Sequence, residues 1–267
     1  MVYKEYWGLK ELPFENLPDP TFFFRSAGHE EALMRLMYAV ESRKGACMLT
    51  GGIGCGKTML SRSFIYELAN NDKHEIGIIA NPSLGPFDFL KEILYQLGID
   101  KKADSKVELL HVLNDELLNN MNNGKHTTII IDEAQTIEDI HTLEEIRLLL
   151  NFQLNDRFLL TLVLIGQSEL KEKIASIKQL DQRISIRYHL KPLSPDDTES
   201  YIVFRLKKAG LQKNIFEKEA IEKIYEHTKG VPRIINTLCD LSLLVGFGSK
   251  AQVIDSKLVQ KVIADAQ

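Results

Sequence analysis

The eight residues Gly51-Gly52-Ile53-Gly54-Cys55-Gly56-Lys57-Thr58 follow the short apolar run Ala46–Thr50 and precede a helical pattern over Met59–Asn70. This is the G-x-x-x-x-G-K-[ST] spacing, set where it has a mechanism, after a strand and before a helix. The glycines let the backbone curl so that successive N–H groups point into one concavity, next to the positive end of the following helix. A phosphate fits there. Lys57 is expected to reach the β- and γ-phosphates, the Thr58 hydroxyl to ligate Mg²⁺, and the loop through Met59 to cradle a nucleoside triphosphate. A chain with this feature has to build an α/β fold around it.

Composition adds few constraints. Hydrophobic residues make up 44% and charged residues 26%, ordinary values for a globular domain. The 33 basic and 37 acidic side chains leave a net charge of −4, so no global signal points to nucleic acid. A local basic patch remains compatible with that balance. Cys47, Cys55 and Cys239 have neither metal-ligand spacing nor a disulfide pattern, which fits a reducing compartment. Met1–Lys10 has no apolar core, so no leader is expected, and the most apolar run, Phe158–Gly166, is too short to span a bilayer.

Three stretches of different character predict the organisation. Residues 1–28 interleave Tyr3, Tyr6, Trp7, Phe14 and Phe22–Phe24 with Pro13, Pro18 and Pro20, and read as an irregular arm whose aromatics pack on the domain behind it. Residues 29–193 alternate strands and helices. Strands are expected at Ala46–Thr50, Ile76–Ala80, Thr128–Asp132, Leu159–Ile165 and Ile184–Leu190. Helices are expected from Glu30 and over Met59–Asn70, Phe87–Leu97, Lys106–Asn120, Thr142–Leu154 and Glu169–Ile177. The near-continuous apolar strands suit a parallel sheet covered on both faces. Beyond Ser194-Pro195, an N-cap followed by proline at the first helical position, residues 194–267 read as a small all-helical lid. Its helices are expected at Asp196–Gly210, Glu217–Thr228, Arg233–Gly246 and Ser256–Asp265.

Further polar residues sit where apolar runs end. Thr128–Ile131 finishes in Asp132-Glu133, which puts two carboxylates at the sheet edge beside the loop. Asp132 is expected to hold Mg²⁺ through water, and Glu133 to orient and activate the water that attacks the γ-phosphorus. Leu159–Ile165 finishes in Gly166-Gln167, so Gln167 is a candidate to sense the γ-phosphate or position water. Arg233, opening a lid helix after Gly230-Val231-Pro232, is a candidate sensor of bound nucleotide. Arg183 and Arg187 flank or lie in the last strand and are candidates to act on a neighbouring subunit's nucleotide.

In that order these parts resemble an AAA+ ATPase, a P-loop NTPase with a parallel-sheet sandwich followed by a helical lid. The motifs Tyr6-Trp7-Gly8-Leu9-Lys10-Glu11, Pro13-Phe14, Pro18-Asp19-Pro20, His29-Glu30-Glu31-Ala32-Leu33, Ile131-Asp132-Glu133-Ala134-Gln135, Leu148–Phe152, Gln182-Arg183-Ile184 and Arg187–Leu190 narrow the likeness. They are similar to the general secretion pathway protein A family. That resemblance implies ATP and Mg²⁺ as ligands, homo-oligomerisation, and ATP hydrolysis driving assembly of a secretin or pilus-type envelope machine. It also implies an inner-membrane assembly protein as partner, and a cytoplasmic site at the inner membrane, reached through that partner or a further C-terminal segment. Arg183 fits the finger spacing of clamp loaders and Arg187 that of initiators, and both stay open. Cys55 stands where the family usually has threonine and reads as filler.

Two other functions compete. Transposition helpers share the module and polymerise on DNA, for which Lys171, Lys173 and Lys178 are candidate phosphate contacts or merely a solvated face. A nucleotide-gated interaction module with negligible hydrolysis is the third, and the intact Asp132-Glu133 pair argues against it.

Overall fold

A computed structural model describes residues 3–17, 19–100 and 103–265; Pro18 of the arm motif lies outside the described residues. In chain order the elements are α1 (Lys4–Trp7), α2 (Ala27–Glu41), β1 (Ala46–Gly51), α3 (Lys57–Ala69), β2 (His74–Ile79), α4 (Pro86–Gln96), α5 (Lys106–Asn122), β3 (His126–Ile131), α6 (Ile140–Leu149), β4 (Leu160–Gly166), α7 (Glu169–Ser176), α8 (Lys178–Asp181), β5 (Ile184–Leu190), α9 (Pro195–Lys208), α10 (Lys218–Thr228), α11 (Pro232–Gly248) and α12 (Ser256–Asp265). The chain divides into two compact units. One comprises residues 28–53 and 60–190, the other residues 1–27, 54–59 and 191–267.

The first unit is built on a five-stranded sheet in the order β2-β3-β4-β1-β5, with every neighbouring pair parallel. β1, β3 and β4 are buried along their whole length, which suits their largely apolar sequences, with His126, Thr127, Thr128 and Thr161 as buried polar residues where β3 and β4 begin. Met48, Ile129, Ile131, Leu162 and Leu164 share one core with Phe89, Ile93, Leu109, Leu113, Leu143, Ile146 and Leu170. Cys47, Leu49, Ile130, Val163 and Ile165 alternate with them and point to the opposite face. The helical residues Leu36, Val40, Leu60, Phe64 and Leu68 are buried as well.

The second unit has its own core, and the arm belongs to it. Tyr3, Trp7, Leu9, Phe14 and Phe22 are buried together with Tyr201, Ile202, Phe216, Ile235, Leu238 and Leu243 of the C-terminal helices. Trp7 Nε1 donates to the Leu243 carbonyl at 2.9 Å, and Lys10 N–H to the Ala209 carbonyl at 2.8 Å. Arg205 fastens the arm further. Its guanidinium donates to the Pro13 and Glu15 carbonyls and lies 4.9 Å from the centre of the Phe22 ring. Tyr3, Trp7, Phe14 and Phe22 are therefore core residues packed with helices from the far end of the chain, whereas Tyr6 is exposed and Phe23 and Phe24 are half-buried.

Several local expectations change. The arm contains helical turns, α1 and the 3-10 turn Pro20–Phe22, the latter begun by Asp19, whose carboxylate accepts from Thr21 N–H at 2.8 Å. The helix expected over Thr142–Leu154 ends at Leu149, because Gln153 forms an antiparallel bridge with Phe158. α8 was not anticipated. Ser194 caps α9 as its sequence indicates, accepting from Asp197 N–H at 3.0 Å. No helix among the described residues is long and apolar enough to cross a membrane.

Candidate active site

Because all five strands run the same way, β1, β3 and β4 end on one edge of the sheet. Gly51, Asp132 and Gln167 are at or just past those three ends. β1 leads into the glycine-rich loop, and α3 starts at Lys57 with no intervening element. Gly54 and Gly56 have φ of +76° and +97°, a backbone region closed to most side chains but needed to turn successive N–H groups inward. Cys55 is buried, which agrees with filler, and Lys57 is buried as well. Gly54 also meets Arg233 within the second unit. Arg233 N–H donates to the Gly54 carbonyl at 3.3 Å, and a Cβ on Gly54 would fall 2.8 Å from Arg233 Cβ.

At the end of β3, Asp132 N–H continues the ladder to the Ile79 carbonyl at 2.9 Å. The Asp132 carboxylate then accepts from Glu133 N–H at 2.9 Å. Glu133 itself adopts φ 49°, ψ 36°, a left-handed conformation that costs a non-glycine residue about 1–2 kcal/mol. Its carbonyl accepts from Thr136 N–H at 2.8 Å and from Thr136 Oγ1 at 2.9 Å, which closes the turn and holds that conformation.

Gln135 bridges two of the predicted site residues and was missed as a functional candidate. Its Nε2 donates to Glu133 Oε2 at 2.5 Å, and its Oε1 accepts from Gln167 N–H at 2.9 Å. Lys173 Nζ donates to the Gln135 carbonyl and, at 2.8 Å, to that of Ile137. Lys173 is thus engaged by the protein's own backbone, unlike Lys171 and Lys178, which are exposed.

The two finger candidates stand elsewhere. Arg183 directly precedes β5, whose first residue Ile184 pairs with Ala46, whereas Leu190 at its far end pairs with Gly51. Seven residues of strand put Arg183 roughly 20 Å from the loop edge, beyond the reach of an arginine side chain. Its Nη1 donates to the Leu150 carbonyl at 3.4 Å. Arg187 lies mid-strand opposite Met48 and is paired with Asp181 at 2.8 Å. The α/β unit therefore does not bring either arginine to the strand ends that carry Gly51, Asp132 and Gln167.

The residues fit a nucleotide with its metal: a glycine turn for phosphate, a lysine, and hydroxyl and carboxylate oxygens of the kind that hold Mg²⁺. The family model described as AAA domain matches residues 40–174, just over half of the chain. General secretion pathway protein A of Aeromonas hydrophila is 40% identical over 250 residues, covering 92% of this chain and 45% of that protein. The chain thus spans less than half the length of that relative. Among solved structures, the Aeropyrum pernix ORC2 protein in its ADPNP–ADP complexes matches with a TM-score of 0.69 at 18% identity, over 96% of this chain and 71% of that one. Cdc6p from Pyrobaculum aerophilum matches with a TM-score of 0.70 at 17% identity, over 95% and 70%. At these identities the two structures speak for the fold alone.

Proposed function

The chain belongs to the AAA family of ATPases, and from that premise we propose that it hydrolyses ATP with Mg²⁺ as an oligomer and powers assembly of a secretion or pilus-type envelope machine. One observation carries the catalytic part. Three strands of one parallel sheet end together, in the glycine-rich loop, in Asp132-Glu133 and in Gln167. Loop N–H groups and Lys57 would bind the phosphates, and Arg233, bonded to the loop at Gly54, would register the nucleotide within the helical unit. Thr58 and Asp132 would hold Mg²⁺, which neutralises charge developing on the phosphate oxygens. Glu133 would orient a water and accept its proton as the oxygen attacks the γ-phosphorus. The bond to the β-phosphate oxygen breaks, giving ADP and phosphate. Gln167 would position that water or the γ-phosphate.

Oligomerisation is proposed with the two arginines in mind. Arg183 is too far along β5 to serve its own loop and Arg187 is turned to Asp181, so a finger role for either would be filled on a neighbouring subunit. The likeness to the secretion protein supports the envelope-assembly role and an inner-membrane partner. A second reading, DNA-bound regulation, is supported by exposed Lys171 and Lys178, while Lys173 is committed to backbone carbonyls.

The test is direct. Lys57→Ala should abolish binding of a fluorescent ATP analogue, and Glu133→Gln should keep binding and lose turnover. Wild-type turnover in Glu133→Gln would remove the catalytic assignment. Mixing Glu133→Gln subunits with Arg183→Ala or Arg187→Ala subunits should restore hydrolysis for the arginine that works in trans. Salt-sensitive, ATP-dependent binding to duplex DNA in an anisotropy titration would favour the second reading.

A further inference from the structure

The hydrogen bonds of Gln135 connect two residues that the reading above gives separate tasks, and that reading leaves Gln135 itself without one. The amide's orientation is fixed by its partners. Gln167 N–H can only donate, so Oε1 faces it and Nε2 faces the Glu133 carboxylate. The main chain of Gln135 is held in turn by Lys173, which spans the Gln135 and Ile137 carbonyls from α7. Gly166 makes the room: a Cβ there would lie 2.6 Å from Gln135 Oε1. Three elements of one unit, the turn after β3, the end of β4 and α7, thus converge on a single residue.

We infer that Gln135 is a positioning residue, which selects the Glu133 carboxylate pose and ties it to the end of β4, so that Glu133 and Gln167 approach the reacting phosphate as one piece. The inference rests on the reading of Glu133 as the group that activates water. A glutamate side chain on a half-buried turn has several staggered rotamers available. A charge-assisted bond from an anchored donor favours one of them and is stronger than a bond between neutral groups. The other end of the donor is fixed to β4 main chain, so displacement of Gln167 is passed to Glu133 through two hydrogen bonds. Lys173 supports the same device from behind.

Steady-state ATP hydrolysis by the full chain tests this. Gln135→Ala should lower kcat about ten- to hundredfold, the effect of a misplaced reacting group, with KM unchanged within about twofold. Gln135→Glu keeps the size and the acceptor for Gln167 N–H but replaces the donor with a like charge, and kcat should fall at least as far. It also serves if the alanine variant does not fold. Gly166→Ala should reproduce the loss by displacing the amide. A readout independent of turnover is the melting temperature of the nucleotide-free protein. Glu133→Ala, Gln135→Ala and their double variant should be non-additive, the double losing less than the sum. Wild-type kcat in both Gln135 variants, or additive melting shifts, would overturn the inference. Should Glu133→Gln be inactive while both Gln135 variants turn over normally, the positioning role falls alone. Should Glu133→Gln turn over normally, the assignment of Glu133 falls and takes the positioning role with it.

Discussion

The two edges of the sheet bridge the same neighbouring strands, β3 and β4, with side-chain hydrogen bonds, and they do it differently. At the edge where the strands begin, buried His126 meets Thr161 Oγ1 through Nε2 at 2.8 Å, and Thr161 Oγ1 donates to the Lys44 carbonyl at 2.8 Å. Thr161's only proton is used on Lys44, so the imidazole carries its hydrogen on Nε2 and donates. The chain of bonds ends on a main-chain acceptor. At the edge where the strands finish, the chain runs from Gln167 N–H through Gln135 and ends on the Glu133 carboxylate, half-buried and held at positive φ. The first network is closed and contributes to stability. The second terminates on a charged group whose remaining oxygen is available to another partner.

Removing the end of each network should separate the two roles. Glu133→Gln is expected to lower ATP turnover by about a thousandfold while leaving the melting temperature nearly unchanged, as measured by phosphate release and thermal unfolding. His126→Ala is expected to do the reverse. Deleting a buried imidazole should cost about 2–3 kcal/mol in a denaturant titration, with kcat of the folded protein retained.

Acid sharpens the contrast. Burial, with smaller contributions from the Arg43 and His74 charges, holds His126 at about 3, below the ordinary histidine value. The unfolded chain protonates that ring near pH 6.5, the folded one only near pH 3. The stabilisation is therefore complete above about pH 6.5 and is lost as pH falls toward 3, by up to about 1.4 kcal/mol per pH unit. Replacing His126 with glutamine should flatten this part of the profile, seen by comparing denaturant midpoints at pH 7 and pH 5.

The smallest effect concerns backbone strain. At most positions glycine is less stable than alanine, but Glu133 sits at φ 49°. Glu133→Gly should therefore be more stable than Glu133→Ala by about 1 kcal/mol, with both inactive. Equal midpoints would show that the turn relaxes once the carboxylate is gone.

How much of this was legible follows from the range of each signal. The strand ends at Gly51, Asp132 and Gln167 were readable because apolar runs and polar stops are local. The order that sets β4 between β1 and β3 was not, since nothing in a strand names its neighbours. Gln135 was legible as part of a motif but not as a functional residue, for a similar reason. An amide two residues beyond an acidic pair has no spacing rule, and its other partner, Gln167, lies on a different strand. Lys173 read as a solvent-facing cation because its acceptors are carbonyls of the turn after β3. The end of α6 at Leu149 was hidden by continued helical spacing, since the bridge to Phe158 that stops it depends on tertiary pairing.

The arm carries a consequence for how the chain is made. Trp7, Phe14 and Phe22 leave the ribosome before the α/β unit, yet Tyr201, Phe216 and Leu243, with which they share a core, are translated only after it. At about 5–20 residues per second that interval is on the order of ten to thirty seconds. Until then the rings lack the C-terminal half of their core. The arm is thus made well before the helices it packs against, and its core closes only when they arrive.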